Sequence, residues 1–75
     1  MAKKLTKEKL IAVLVLTRKE AGLTQQQLAK KLDKPQSYVS KYEIGERSLD
    51  LIEVIEVFEA IGVNPIEQIK GMYSG

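Results

Sequence analysis

The chain of 75 residues carries 12 Lys/Arg against 10 Asp/Glu and neither cysteine nor histidine, which excludes disulfide staples and the commonest zinc ligand sets. It makes one small domain near the lower limit for a self-sufficient core. Without a convergent carboxylate pair there is also little to build acid–base or nucleophilic chemistry from, so no enzyme activity, cofactor or metal is expected. The net +2 divides as +6 over residues 1–47 (eleven basic, five acidic) and −4 over residues 48–75 (one basic, five acidic), which suits one face laid on phosphate and another turned away.

Residues 1–9 read as a basic arm ahead of a single domain over residues 10–75. Lys3, Lys4, Lys7 and Lys9 there either add phosphate contacts or simply keep a frayed terminus soluble. The apolar run Leu10–Leu16 imitates the core of a signal peptide, but Thr17-Arg18-Lys19-Glu20 follows at once without a small-residue cleavage site. Seven apolar residues are also too few to span a bilayer. No membrane association is expected, and a cytoplasmic protein, nucleoid-associated when on DNA, is. Thr6 can cap a first helix that runs to about Ala21 and ends at Gly22. Leu10, Leu14 and Arg18 share one face of it. Val15 and Leu16 make it apolar on a second side, as either a greasy core helix or a surface for a partner.

From Thr24 the pattern becomes two short helices around a tight turn. Thr24 and Gln27 have capping-box spacing, and Leu28, Ala29 and Leu32 fall on one face. Ala29 is small enough for a second helix to cross closely. Asp33 stands at the turn and tolerates positive φ better than most residues. Pro35 suits the first turn of the next helix, about 35–42. Val39 and Tyr42 give that helix an inward face, leaving Gln36, Ser37, Tyr38, Ser40 and Lys41 outward. Gln, Ser and Lys side chains read base edges in a major groove, and a Tyr ring can pack on a thymine methyl. The pattern describes a DNA-binding helix-turn-helix; a helical hairpin with a merely solvated face is the plainer alternative.

Gly45 supplies a positive φ for leaving the second helix, and Arg47 either meets a flanking phosphate or is an ordinary surface arginine. Ser48 can cap a fourth helix over Leu49–Ile61, closed by Gly62. Leu51, Val54, Val57, Phe58 and Ile61 trace its core stripe, widened by Ile52 and Ile55, while Glu53, Glu56 and Glu59 form a solvated ridge. Asn64-Pro65 opens a fifth helix as cap and first position, with Glu67 at capping-box spacing. Ile66, Ile69, Met72 and Tyr73 give it an apolar side that either joins two subunits or closes the monomer core.

The runs Ala-Gly-Leu-Thr-Gln-Gln-Gln-Leu-Ala (21–29), Pro-Gln-Ser-Tyr-Val-Ser-Lys-Tyr-Glu (35–43) and Gly-Glu-Arg (45–47) together resemble the phage repressor and Cro family of xenobiotic-response-element-type regulators. The resemblance covers roughly residues 10–66. It implies an all-α, compact five-helix repressor-like domain with a central helix-turn-helix, acting as a dimer on two half-sites of a double-stranded DNA operator. Carried over by position, Gln25 is a phosphate-binding residue, Gln36, Ser37 and Lys41 are base readers, and Arg18 with Glu43 is a structural ion pair. Tyr38 is expected to join the base readers, and Lys34, Ser40 and Arg47 the phosphate contacts. The family's last helices make the dimer interface, which points to Ile66, Ile69, Met72 and Tyr73. Asp33 replaces the family's usual turn glycine and Lys34 its usual Ser/Thr cap. The expected function is a transcriptional regulator, a repressor by preference. The alternative is an antitoxin or similar module whose first and last helices grip a protein partner.

Overall fold

The computed structural model describes residues 5–74, which form five helices: α1 (Lys7–Glu20), α2 (Gln25–Lys31), α3 (Gln36–Glu43), α4 (Leu51–Ile61) and α5 (Pro65–Ser74). No strand occurs among the described residues. Lys3 and Lys4 of the expected basic arm lie outside them. Lys7 and Lys9 belong to the first turn of α1.

Local signals set most helix ends. Thr6 Oγ1 accepts from the Lys9 amide at the start of α1. Thr24 and Gln27 close a reciprocal capping box on α2, and Asn64 Oδ1 accepts from the Ile66 and Glu67 amides at α5. The start of α4 corrects the sequence reading. Asp50, not Ser48, caps it: its Oδ1 accepts from the Glu53 amide at 2.7 Å, and Glu53 Oε1 takes the Asp50 N–H at 3.0 Å. An aspartate two residues further on offers a stronger acceptor in the same reciprocal arrangement, and it turns Glu53 from ridge residue into cap.

α2 lies mainly on α3, and α1 crosses α3, α4 and α5, so the centre falls between α1, α3 and α4. Leu14, Leu28, Val39, Tyr42, Val57 and Phe58 are fully buried there, each burial contributing about 1.5–3 kcal/mol. Leu10, Val13 and Ile69 pack around them. Two residues of the expected α4 stripe are not core: Leu51 is 65 % and Ile52 64 % exposed, because no neighbouring helix covers the first turn of α4. In α5 the expected interface set divides. Met72 is 4 % exposed within the monomer core, whereas Ile66 and Tyr73 are 66 % and 63 % exposed.

The candidate nucleic-acid interface

The α2–α3 turn is held by the backbone. The Lys34 amide donates to Ala29 O at 2.9 Å and the Asp33 amide to Lys30 O at 3.1 Å, the paired bonds of a Schellman helix end. That motif needs a left-handed residue, and Asp33 takes φ 58°, where the ends of α1, α3 and α4 use Gly22, Gly45 and Gly62. An aspartate there is mildly strained. It keeps the turn short enough for α3 to cross α2 over Ala29, which is 1 % exposed.

α3 starts one residue later than expected, with Pro35 as its N-cap (φ −68°) and no side-chain bond to the first amides. Its inner side is Tyr38, Val39 and Tyr42, all buried. Gln36, Ser37 and Lys41 are exposed, and Ser40 is half-buried with its hydroxyl donating to Ser37 O at 3.3 Å. Lys30, Lys31 and Lys34 stand exposed nearby.

The structure corrects the place of Tyr38. Its ring meets Tyr42 edge-on, centroids 5.9 Å apart, and its hydroxyl donates to Glu53 Oε2 at 3.3 Å. Lys34 Nζ lies 5.5 Å and Arg47 Cζ 4.8 Å from the ring centroid. At 8 % exposure Tyr38 is a packing residue between α3 and α4, not an outward base reader. Burial, reinforced by the neighbouring Glu53 carboxylate, pushes its hydroxyl pKa upward. It stays neutral and keeps its proton for Glu53.

Arg18 and Glu43 tie α1 to the end of α3. Arg18 Nε donates to Glu43 Oε2 at 2.7 Å and Nη2 to Oε1 at 3.1 Å, while Nη1 donates to Leu23 O at 2.8 Å. The side chains are 9 % and 5 % exposed. The hydrogen bonds to Glu43 raise the Arg18 pKa despite burial. Gln25, expected on phosphate, is half-buried and donates Nε2 to Glu43 Oε1 at 2.8 Å, leaving one N–H of its amide for another acceptor. Arg47 Nη2 donates to Glu53 Oε2 at 3.0 Å. The Asp50 amide, then Arg47, hold the Glu53 carboxyl below its ordinary range. The Asp50–Glu53 box was readable in the sequence, from an acid followed three residues on by Glu before an apolar run. The Gln25–Glu43 contact had no local signal.

A helix-turn-helix family model matches residues 16–68 of the chain. A solved XRE-family like protein from Pseudomonas syringae pv. tomato is 38% identical, with TM-score 0.88 over 91% of this chain and 83% of that one. This is a Cro/C1-type helix-turn-helix protein. Two structures of the clp gene regulator ClgR from Corynebacterium glutamicum share its fold at 24% identity. Their TM-scores are 0.74 and 0.79, over 95% and 96% of this chain and 95% and 77% of theirs. No curated relative matches. Membership makes the chain a DNA-binding regulator by class. Among the described residues no helix is long and apolar enough to cross a membrane.

Proposed function

We propose that this protein is a sequence-specific transcriptional repressor that binds an operator as a dimer, with α3 of each subunit in a major groove. The observation that carries the proposal is the division of α3. One side is locked into the core by Tyr38, Val39 and Tyr42, while Gln36, Ser37 and Lys41 project exposed from the other, their side chains held by no hydrogen bond among the described residues. A rigid helix with free polar ends is what direct readout needs. Gln36 matches adenine N6/N7 in bidentate fashion, Lys41 matches guanine O6/N7, and Ser37 is permissive. Lys34, Arg47 and the remaining N–H of Gln25 supply phosphate contacts, which set register and affinity. Ser40, half-buried, has a smaller part.

Ile66 and Tyr73 of α5 are the exposed apolar residues offered to a second subunit, with Ile69 at the edge of the core. Leu16 of α1, 56 % exposed, shares a shallow groove with Gln68 and Gly71 of α5, which extends the patch. Two-fold pairing through α5 would set half-site centres about one helical turn, roughly 34 Å, apart.

The test is selection from a randomised duplex pool, followed by fluorescence anisotropy at low and near-physiological salt. An enriched site with two-fold symmetry that survives the salt increase supports the reading. Weak, sequence-blind binding lost with salt reduces the basic face to electrostatics. Sedimentation of the wild type and of an Ile66→Glu/Tyr73→Glu variant tests the dimer: a wild type monomeric at high concentration refutes it.

A further inference from the structure

Between the first turns of α1 and the loop that follows α3 lies a cavity of about 250 Å³. Leu10, Ile11, Leu14 and Leu49 line it, with the ring of Tyr42 as a buried wall. Its exposed lining residues, and so its mouth, are Lys7, Arg47 and Ser48. The interior is an apolar pouch and the entrance carries two cations.

Neither cation is fully used. Lys7 Nζ donates to Gly45 O at 3.1 Å and to Ser48 Oγ at 3.3 Å. Both acceptors are neutral, and an ammonium has three donors. The ion pairs among the described residues are Arg18–Glu43 and Arg47–Glu53, so Lys7 has no carboxylate opposite it. Arg47 spends one Nη2 bond on Glu53 and lies over the Tyr38 ring, which leaves N–H donors at the edge of its fork for an anion. The Tyr42 ring forms a wall of the pouch, while its hydroxyl is buried with no hydrogen-bond partner among the described residues.

We propose that this cavity binds a small organic monocarboxylate, its carboxylate held by Lys7 and Arg47 and its short apolar tail against Leu10, Ile11, Leu14 and Leu49. Charge complementarity at the mouth selects the anion, and the aliphatic walls select the tail. At roughly 30 Å³ for each water-sized group, the volume holds about eight such groups, the size of hexanoate. Longer chains would protrude, and acetate would leave the walls uncovered. The site stands on its own geometry and does not depend on the DNA reading.

The experiment is a ¹⁵N–¹H NMR titration of the full chain with sodium hexanoate, and with 1-hexanol and sodium acetate as probes of tail and charge alone. The expected result is saturable shifts centred on Lys7, Ile11, Arg47 and Leu49, with a Kd on the order of a millimolar. Hexanol should bind about tenfold more weakly, as should hexanoate to Lys7→Gln and to Arg47→Gln. Leu49→Trp, which fills the pouch from its edge, should abolish the shifts while leaving the helical circular-dichroism signal intact. Equal binding of hexanol and hexanoate would overturn the carboxylate assignment. Linear, non-saturating shifts spread over all the lysines would overturn the site.

Discussion

Replacing Glu43 by alanine should be among the most damaging single changes in this domain. The carboxylate receives two bonds from Arg18 and one from Gln25, and the ion pair is more than nine-tenths buried. Its removal leaves the Arg18 guanidinium with Leu23 O as its one remaining acceptor. Breaking a buried pair from one side costs about 3–5 kcal/mol, because the surviving charge is stranded away from water. A domain of this size has on the order of 4–11 kcal/mol in total, so Glu43→Ala consumes a large share. The melting temperature should fall by about 12 °C or more. Urea denaturation followed by circular dichroism gives the free energy directly, and the slope against denaturant reports whether the unfolding stays two-state. Arg18→Met combined with Glu43→Leu should recover most of the loss, since apolar replacement of both partners leaves no orphaned charge. A loss under about 1 kcal/mol for Glu43→Ala would place the pair in the solvated class and refute the argument that it anchors α3 to α1.

Four further outcomes follow from the same geometry. Gln36→Ala should weaken the selected operator by about 1–3 kcal/mol and random DNA hardly at all; equal losses in anisotropy on both would make it a positioning residue. Tyr38→Phe should leave operator sequence preference unchanged, because the ring is packed inward, and should cost at most about 1 kcal/mol for its 3.3 Å bond to Glu53; an altered selected sequence would contradict that. Asp33→Gly should stabilise the fold by up to about 1 kcal/mol, since glycine accepts φ 58° without strain; a lower urea midpoint would show that the aspartate side chain contributes something its backbone angle does not. Glu53, whose folded pKa is depressed below 4.5, binds fewer protons folded than unfolded. Its stabilisation is therefore present above the unfolded value and lost as pH falls through the folded one. Glu53→Gln should flatten the acid side of a pH–melting curve, and an unchanged slope there would remove the contribution.

Most of the fold could be read from the chain alone because the signals are local. A cap bond spans three residues, as at Thr6, Thr24 and Asn64, and a left-handed turn residue acts on its own backbone, as at Asp33 and Gly45. Sequence spacing therefore contained the five helices, the short α2–α3 turn and the exposed Gln36, Ser37 and Lys41. The Asp50 cap is equally local, and Ser48 two residues earlier offers the same capping chemistry to a sequence reading.

What the sequence could not assign is the edge of each apolar face. Tyr38 and Lys41 are near neighbours on α3, and the approach of α4 from one side, with Glu53 waiting for a hydroxyl, sends the tyrosine inward. Leu51 continues the spacing of Val54, Val57 and Phe58, yet no helix reaches the first turn of α4 to cover it. Met72 and Tyr73 are adjacent and both amphipathic candidates, and the packing of α5 buries the first and exposes the second. Periodicity fixes which residues share a helical face, but only the position of the neighbouring helix determines how wide a strip of that face loses its water.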